Sequence, residues 1–150
     1  MELGDLYSER ILALAANAPQ PGRLAVPQAS ARRASRVCGS VIEVDLVLAD
    51  GVVAAYGQAV SACVLGQTAA AVVAREIVGS PAQELRALRE QMTAMLKSGG
   101  SAPGGQWEDL ALLEPVRDYP ARHQSVLLVF DAVVEALEKI GCVPKLTAGA

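Results

Sequence analysis

Two alternating segments joined by Asp50-Gly51 constrain the fold of this chain most. Across residues 41–48, hydrophobic side chains alternate with polar ones such as Glu43 and Asp45, which is the period of a strand with one buried face. Asp-Gly between two such segments is the strongest short hairpin signal. Residues 52–60 then return as the second strand. The sequence therefore predicts an antiparallel hairpin with one face toward helices.

Helical segments and one further strand are expected around this hairpin. The helices are predicted from apolar residues at helical spacing: residues 3–17, 62–78, a segment after Ser80-Pro81-Ala82-Gln83, and about 121–140. Ser61 is the expected N-cap of the second helix, and Ser80 opens a capping box for the third. Gly141 is the expected C-terminal stop of the last helix. With an edge strand within residues 22–36, the predicted class is α+β: a small antiparallel sheet of about three strands with helices packed on one face.

The remaining segments read as connections within one domain. Residues 98–106 contain four glycines and one proline and are expected to form a flexible loop. A helical turn is expected at residues 107–113, with Trp107 covering the core, and Pro115 and Pro120 bracket an expected extended link. Residues 141–150 would be a short tail. A length of 150 residues suits one domain spanning residues 1–150.

Composition excludes several classes of function. A net charge of −3, a pI of about 5.1 and 3% aromatic residues argue against a nucleic-acid binder. No apolar run is long enough to cross a membrane, and the acidic first residues do not resemble a signal peptide. Three cysteines, an odd and widely spaced set, argue against a disulfide framework. The expected location is therefore the cytoplasm.

Two of the cysteines are the candidates for chemistry. Cys38 directly precedes the first strong strand, and Cys63 falls in the first turn of a predicted helix, where the helix dipole favours a thiolate. The hairpin would bring both to the same end of the sheet. Two converging thiols suit metal or sulfur chemistry, and the alternative is that both are small buried hydrophobic residues.

Several segments resemble the U-type iron–sulfur assembly family, which includes IscU, the N-terminal part of NifU, and SufU. Cys38-Gly39-Ser40 and the following strand resemble its Cys-Gly-Asp motif. The other matching segments are the opening helix and turn at residues 7–24, the second cysteine and helix start at 62–71, and the approach to the third cysteine at 113–122. The resemblance covers about residues 5–138. The long stretch between Cys63 and Ser125 is similar to the SufU branch.

The resemblance implies a role in iron–sulfur cluster assembly. The chain would be a scaffold, or an acceptor of sulfur from a cysteine desulfurase, that passes its cargo to apo iron–sulfur proteins. It would be a persulfide acceptor at most, not a conventional enzyme. Cys38 is the implied sulfur acceptor, and Cys38 with Cys63 would hold a transient iron–sulfur cluster or zinc. A homodimer is left open.

Departures from the family pattern fall on the implied ligands. Ser40 replaces the family's aspartate, Ser125 its third cysteine, and Gln124 a histidine of the IscU branch. A serine hydroxyl is a weak ligand beside thiolate and carboxylate, so Ser40 and Ser125 are weak metal candidates. His123 is an alternative ligand or an exposed or capping histidine, and its two-residue offset from Ser125 points it to nearly the opposite helix face.

Two readings of the function therefore remain. In one, the chain works in cluster assembly with an incomplete ligand set. In the other, it is a non-catalytic member that keeps the fold and partner surface but binds no metal or cluster.

Cys142 matches no family position and is interpreted as an incidental thiol. The basic run Arg32, Arg33 and Arg36 either contacts an acidic partner or forms a solvated loop.

Overall fold

The computed structural model describes residues 8–18, 21–36 and 39–148, with side chains through residue 141. Its helices and strands, in chain order, are α1 (Glu9–Ala16), β1 (Ala29–Ala34), β2 (Val41–Ala49), β3 (Val52–Ser61), α2 (Val64–Glu76), α3 (Ala82–Lys97), a 3₁₀ segment (Gly105–Asp118), a short 3₁₀ turn (Pro120–Arg122) and α4 (His123–Ala148). No helix in the described part of the chain is both long and apolar enough to span a membrane.

The predicted hairpin is confirmed at the turn between β2 and β3. Asp50 has φ 55° and Gly51 has φ 78°, so both central residues are left-handed, as a type I′ turn requires. Asp50 is the one non-glycine residue with positive φ in the described ranges. The register shifts once, between Val47 and Leu48, where an irregularity lets the strands twist.

The sheet has the order β1-β2-β3 and is antiparallel throughout. Val44 and Leu46 on β2 are fully buried, on the face where α2 and α4 lie against the strands. α1 packs on α2, and α3 packs on α4. The α+β class predicted from the sequence, with three strands and helices on one face, is confirmed.

The opposite, outer face of the sheet is crossed by residues 21–24, here called the strap. A Cβ added at Gly57 on β3 would lie 2.5 Å from the Gly22 carbonyl oxygen, so only glycine leaves room for the strap. The Gln58 amide donates a hydrogen bond to that carbonyl at 3.0 Å. The strap is therefore joined to β3 through backbone contacts.

A buried ion pair fixes the strap to β2. The Asp45 side chain is fully buried and accepts hydrogen bonds from Arg23 Nε at 2.6 Å and Nη2 at 2.9 Å. Its carboxylate also accepts from the Leu24 amide at 3.0 Å and from the Ser30 hydroxyl. The Arg23 hydrogen bond, aided by those of Ser30 and Leu24, lowers the pKa of Asp45 to about 2 against the opposing effect of burial. A charged carboxylate is thus stable in this buried position.

The predicted cap residues of α2 and α3 are wrong. Ser61 stays in β3 because it pairs with Val41, and Cys63 is the N-cap of α2. Pro81 is the N-cap of α3 and makes no side-chain cap bond. Ser80 instead donates from its amide to Ile77 and from its hydroxyl to Glu76. Ser80 therefore closes the exit from α2 rather than the entry to α3.

The connection before α4 also differs from expectation. The predicted turn at 107–113 is part of a longer 3₁₀ segment, and the expected extended link between Pro115 and Pro120 is wrong. The fixed φ of proline also suits a 3₁₀ turn. Trp107 is 5% exposed, as predicted for a side chain covering the core, and its Nε1–H donates to Glu84 at 3.2 Å.

α4 continues through Gly141 to Ala148, so the predicted helix stop at Gly141 is wrong. An internal glycine costs a helix about 1 kcal/mol relative to alanine, which is too little to end a long helix by itself. Gly141 does not have the positive φ of a helix-terminating glycine. The backbone of residues 141–148 is therefore helical, in place of the expected tail.

Candidate functional site

Three residues mark the end of the sheet where the candidate site lies. Ala34 at the end of β1 pairs with Val41 at the start of β2, and Val41 pairs with Ser61 at the end of β3. We call this the site end. The turn at residues 35–40 and the step from β3 to α2 both leave the sheet here, so the strand register carries the two cysteine-bearing segments to one end.

Between β1 and β2, the described residues 35–36 and 39–40 are joined by backbone hydrogen bonds. The Ser35 amide donates to the Ser40 carbonyl at 2.8 Å, and the Gly39 amide donates to the Ser35 carbonyl at 3.1 Å. Gly39 has φ 71°, a conformation that glycine adopts without strain. Cys38 lies outside the described residues, so its predicted proximity to Cys63 stays a prediction.

Cys63 occupies the N-cap of α2. Its backbone is extended, with φ −66° and ψ 168°, and its side chain makes no capping hydrogen bond. The thiol is free and half-buried. The Cys63 carbonyl accepts the first hydrogen bond of the helix, from Gln67 at 2.9 Å. The thiol therefore sits where the strand ends and the helix begins, at the site end.

Ser125 lies against the first turn of α2. A Cβ added at Gly66 would be 3.1 Å from the Ser125 carbonyl oxygen, so the first turns of α2 and α4 are in close contact. Ser125 is 2% exposed and Ser40 is 3% exposed. Through this contact and the sheet register, the structure brings Ser40 and Ser125 to the same end as Cys63.

Ser35 is a residue of this site that the sequence analysis missed. It is buried, and its hydroxyl donates to Gln124 Oε1 at 3.2 Å. This bond joins Ser35, the residue after β1, to the first turn of α4. The sequence contains one indication of this bond. Ser35 continues the alternation that puts Ala31 of β1 on the core-facing side, and a polar side chain buried there needs a hydrogen-bond partner.

His123 caps the preceding 3₁₀ segment. Its ring is 6% exposed, and Nε2 lies 3.0 Å from the Val116 carbonyl oxygen and 3.2 Å from that of Arg117. Carbonyls only accept, so Nε2 carries the proton and donates. Of the two alternatives to a metal-ligand role, the exposed histidine is wrong and the capping histidine is correct.

The donor set at the site end is small. In the described ranges, no three His, Cys, Asp or Glu side chains lie together as a metal-binding group. The site end has the Cys63 thiol and the buried hydroxyls of Ser40 and Ser125, and the sequence adds Cys38. Structural zinc needs four ligands, and hydroxyls are poor ones, so among the described residues of the site end only the Cys63 thiol is a strong zinc ligand.

Comparisons with known proteins agree with this architecture, although no family profile matches the sequence. The chain is 29% identical over 135 residues to the iron–sulfur cluster assembly scaffold protein IscU of Thermotoga maritima, covering 90% of this chain and 94% of that protein. A crystal structure of a nitrogen-fixing NifU-like protein (N-terminal) from Brucella abortus is 47% identical, with a TM-score of 0.90 over 92% of this chain and 96% of that one.

A third comparison concerns the fold alone. A putative iron–sulfur cluster assembly scaffold protein for the SUF system from Fervidobacterium islandicum has a TM-score of 0.82 at 18% identity, over 91% of this chain and 99% of that one.

The fold and the cysteine-bearing end of the sheet together define a small α+β domain of the scaffold type. This chain belongs to the U-type iron–sulfur assembly family.

Proposed function

We propose that this chain works in iron–sulfur cluster assembly, as a scaffold or as a sulfur acceptor for a cysteine desulfurase. The observation that carries the proposal is the placement of Cys63 at the N-cap of α2, at the same sheet end as Arg36 and Gly39, the described residues on either side of Cys38 in the sequence. Family membership supports the same role. The non-catalytic alternative is not favoured, because both of these thiol positions are retained.

In the acceptor form of the proposal, Cys38 receives the sulfur. Its thiolate attacks the outer sulfur of the desulfurase persulfide. A new S–S bond forms on Cys38, the S–S bond of the donor breaks, and the desulfurase cysteine leaves as a thiolate. The exchange needs no external oxidant or reductant. A cytoplasmic location belongs to the proposal, because a reducing compartment keeps both thiols free.

In the scaffold form, the nascent cluster is cargo. A [2Fe–2S] cluster is normally held by four cysteine thiolates, and this site offers two thiols. A small thiol, a second copy of the chain or His123 would have to supply the rest. His123 is the least suited, because its Nε2 already donates to two carbonyls. The cluster would then be released to an apo acceptor protein.

Sulfur labelling tests the proposal. The chain is incubated with a cysteine desulfurase from the same genome and ³⁵S-cysteine, and protein-bound label is measured without reductant. Cys38→Ser should lose the label, whereas Cys142→Ser, the matched control thiol, should keep it. Label that disappears only in Cys63→Ser would assign the acceptor role to Cys63. Absence of label on the unmodified chain would refute the acceptor role, and failure to form a cluster with added iron would refute the scaffold role.

A further inference from the structure

Two arginines of the β1 region have no internal role in the described structure. Arg33 is used within the fold, since its Nε lies 3.2 Å from Glu135 Oε1 on α4. Arg32 and Arg36, on either side of it in the same basic run, are exposed, and neither forms an ion pair with any residue that the structure describes. The run therefore divides into one structural arginine and two arginines available to a partner.

Arg32 belongs to an exposed part of the sheet, and Arg36 lies two residues beyond the end of β1, at the site end. Arg32 is on the outer face, in register with Glu43 on β2, which pairs with Ala59 on β3. The strap backbone crosses the neighbouring row, at Gly57, and its Arg23 side chain reaches Glu43, while Arg32 and Ala59 at the two ends of this row stay exposed.

The open area also has little side-chain bulk. The side chains of Ala34, Ala59 and Ser61 are small and exposed. We call this area, together with Arg32 and Arg36, the arginine face. It reaches the site end, where β3 leads into Cys63.

The arginine face is positively charged, whereas the whole chain has a net negative charge. The net charge is −3, yet this face has two arginines that form no ion pair with any described residue. The nearest carboxylate by register, Glu43, is bonded to Arg23 Nη1 at 3.0 Å. The N-termini of α2 and α4 add partial positive charge at this end.

We propose that the arginine face docks an acidic surface on the protein that exchanges sulfur at this site, an inference that rests on the proposed function. Guanidinium groups bind carboxylates in a bidentate way, and charges at the edge of an interface chiefly raise the association rate. The small, exposed side chains of Ala34, Ala59 and Ser61 let another protein approach the strands closely. Nucleic acid fits less well, because the chain is acidic overall and the described part of this face has no aromatic residue.

The test measures association with the desulfurase from the same genome. Association rates are compared for the unmodified chain, for Arg32→Glu/Arg36→Glu, and for the control Arg86→Glu/Lys97→Glu. The control makes the same charge change on α3, at two cations that also lack ion pairs in the described structure. We expect the arginine-face variant to associate about tenfold more slowly at low salt, with the difference shrinking as salt screens the charges. The control should stay within about twofold of the unmodified chain.

Each other outcome has a distinct meaning. A complex that forms equally fast with the arginine-face variant overturns this inference and leaves the proposed function in place. Absence of any complex with the unmodified chain, together with absence of sulfur labelling, overturns both. A labelled oligonucleotide is tested in parallel, and binding that the arginine-face variant loses would assign the face to nucleic acid and overturn the proposal.

Discussion

Replacing Asp45 by asparagine tests the account of the strap most directly. The change keeps the size of the side chain and removes a fully buried negative charge that holds Arg23. The pKa of Asp45 is lowered from 3.8 to about 2, and each pKa unit corresponds to about 1.4 kcal/mol. The full shift would be worth about 2.5 kcal/mol. Since the Arg23 side chain is 43% exposed and partly screened, we expect a loss of about 1–2 kcal/mol.

The stabilisation contributed by Asp45 should decrease as the pH falls. Because the folded pKa of Asp45 lies below its unfolded value, the stabilisation is fully present above about pH 4 and is lost as the pH falls through about 2. Urea unfolding followed by circular dichroism, at pH 7 and at steps down to about pH 2, should show the difference between Asp45→Asn and the unmodified chain shrinking with acid.

A matched control, Glu43→Gln, shows how much of the lost stability depends on the carboxylate being buried and not only on its charge. Glu43 also binds Arg23, but its side chain is 39% exposed, so Glu43→Gln should cost less than about 1 kcal/mol. An equal loss in both variants, an unchanged unfolding midpoint for Asp45→Asn at pH 7, or a difference that persists undiminished at pH 2 would each refute the reasoning.

Two further predictions concern the site end. Gly66→Ala would place a Cβ 3.1 Å from the Ser125 carbonyl and should cost about 1 kcal/mol despite alanine's higher helix propensity. Gly141→Ala, where the nearest atom is a flexible arginine tip at 3.7 Å, should not lower the unfolding midpoint, and equal behaviour of the two would contradict the close α2–α4 contact. Ser40→Asp/Ser125→Cys should bind one zinc per chain and gain melting temperature with added zinc. A folded variant that titrates like the unmodified chain would show that these positions are not ligand positions.

Local signals predicted the sheet well. Asp50-Gly51 determines a two-residue turn by its own backbone preferences, and the alternation on either side assigns the buried face, so the hairpin needs no information from distant residues. Cap residues failed for the opposite reason. Ser61 has the chemistry of an N-cap, but its pairing with Val41 keeps it in β3, and that competition depends on the assembled sheet.

The polar contacts of the site end depended on residues far apart in sequence. Ser35 and Gln124 are 89 positions apart, and the local sequence around either residue does not indicate that the other is its hydrogen-bond partner. The burial of Asp45 likewise requires Arg23, which lies 22 positions earlier, in a segment without regular structure. Such pairs follow from tertiary packing, whereas the resemblance to the U-type family located the candidate ligands Ser40 and Ser125.

The contacts of α4 have a consequence for the spacing of the two cysteine-bearing segments. Gln124 holds the turn at 35–40, and the next residue, Ser125, abuts Gly66 in the first turn of α2. Gln124 and Ser125, two adjacent residues of α4, therefore contact two segments that leave different strands, and together they fix how far apart those segments lie. A slip of α4 by one residue would rotate both by about 100° and release both contacts together. The distance between the segments is therefore set by the rotational register of a helix that contributes no thiol to the site end.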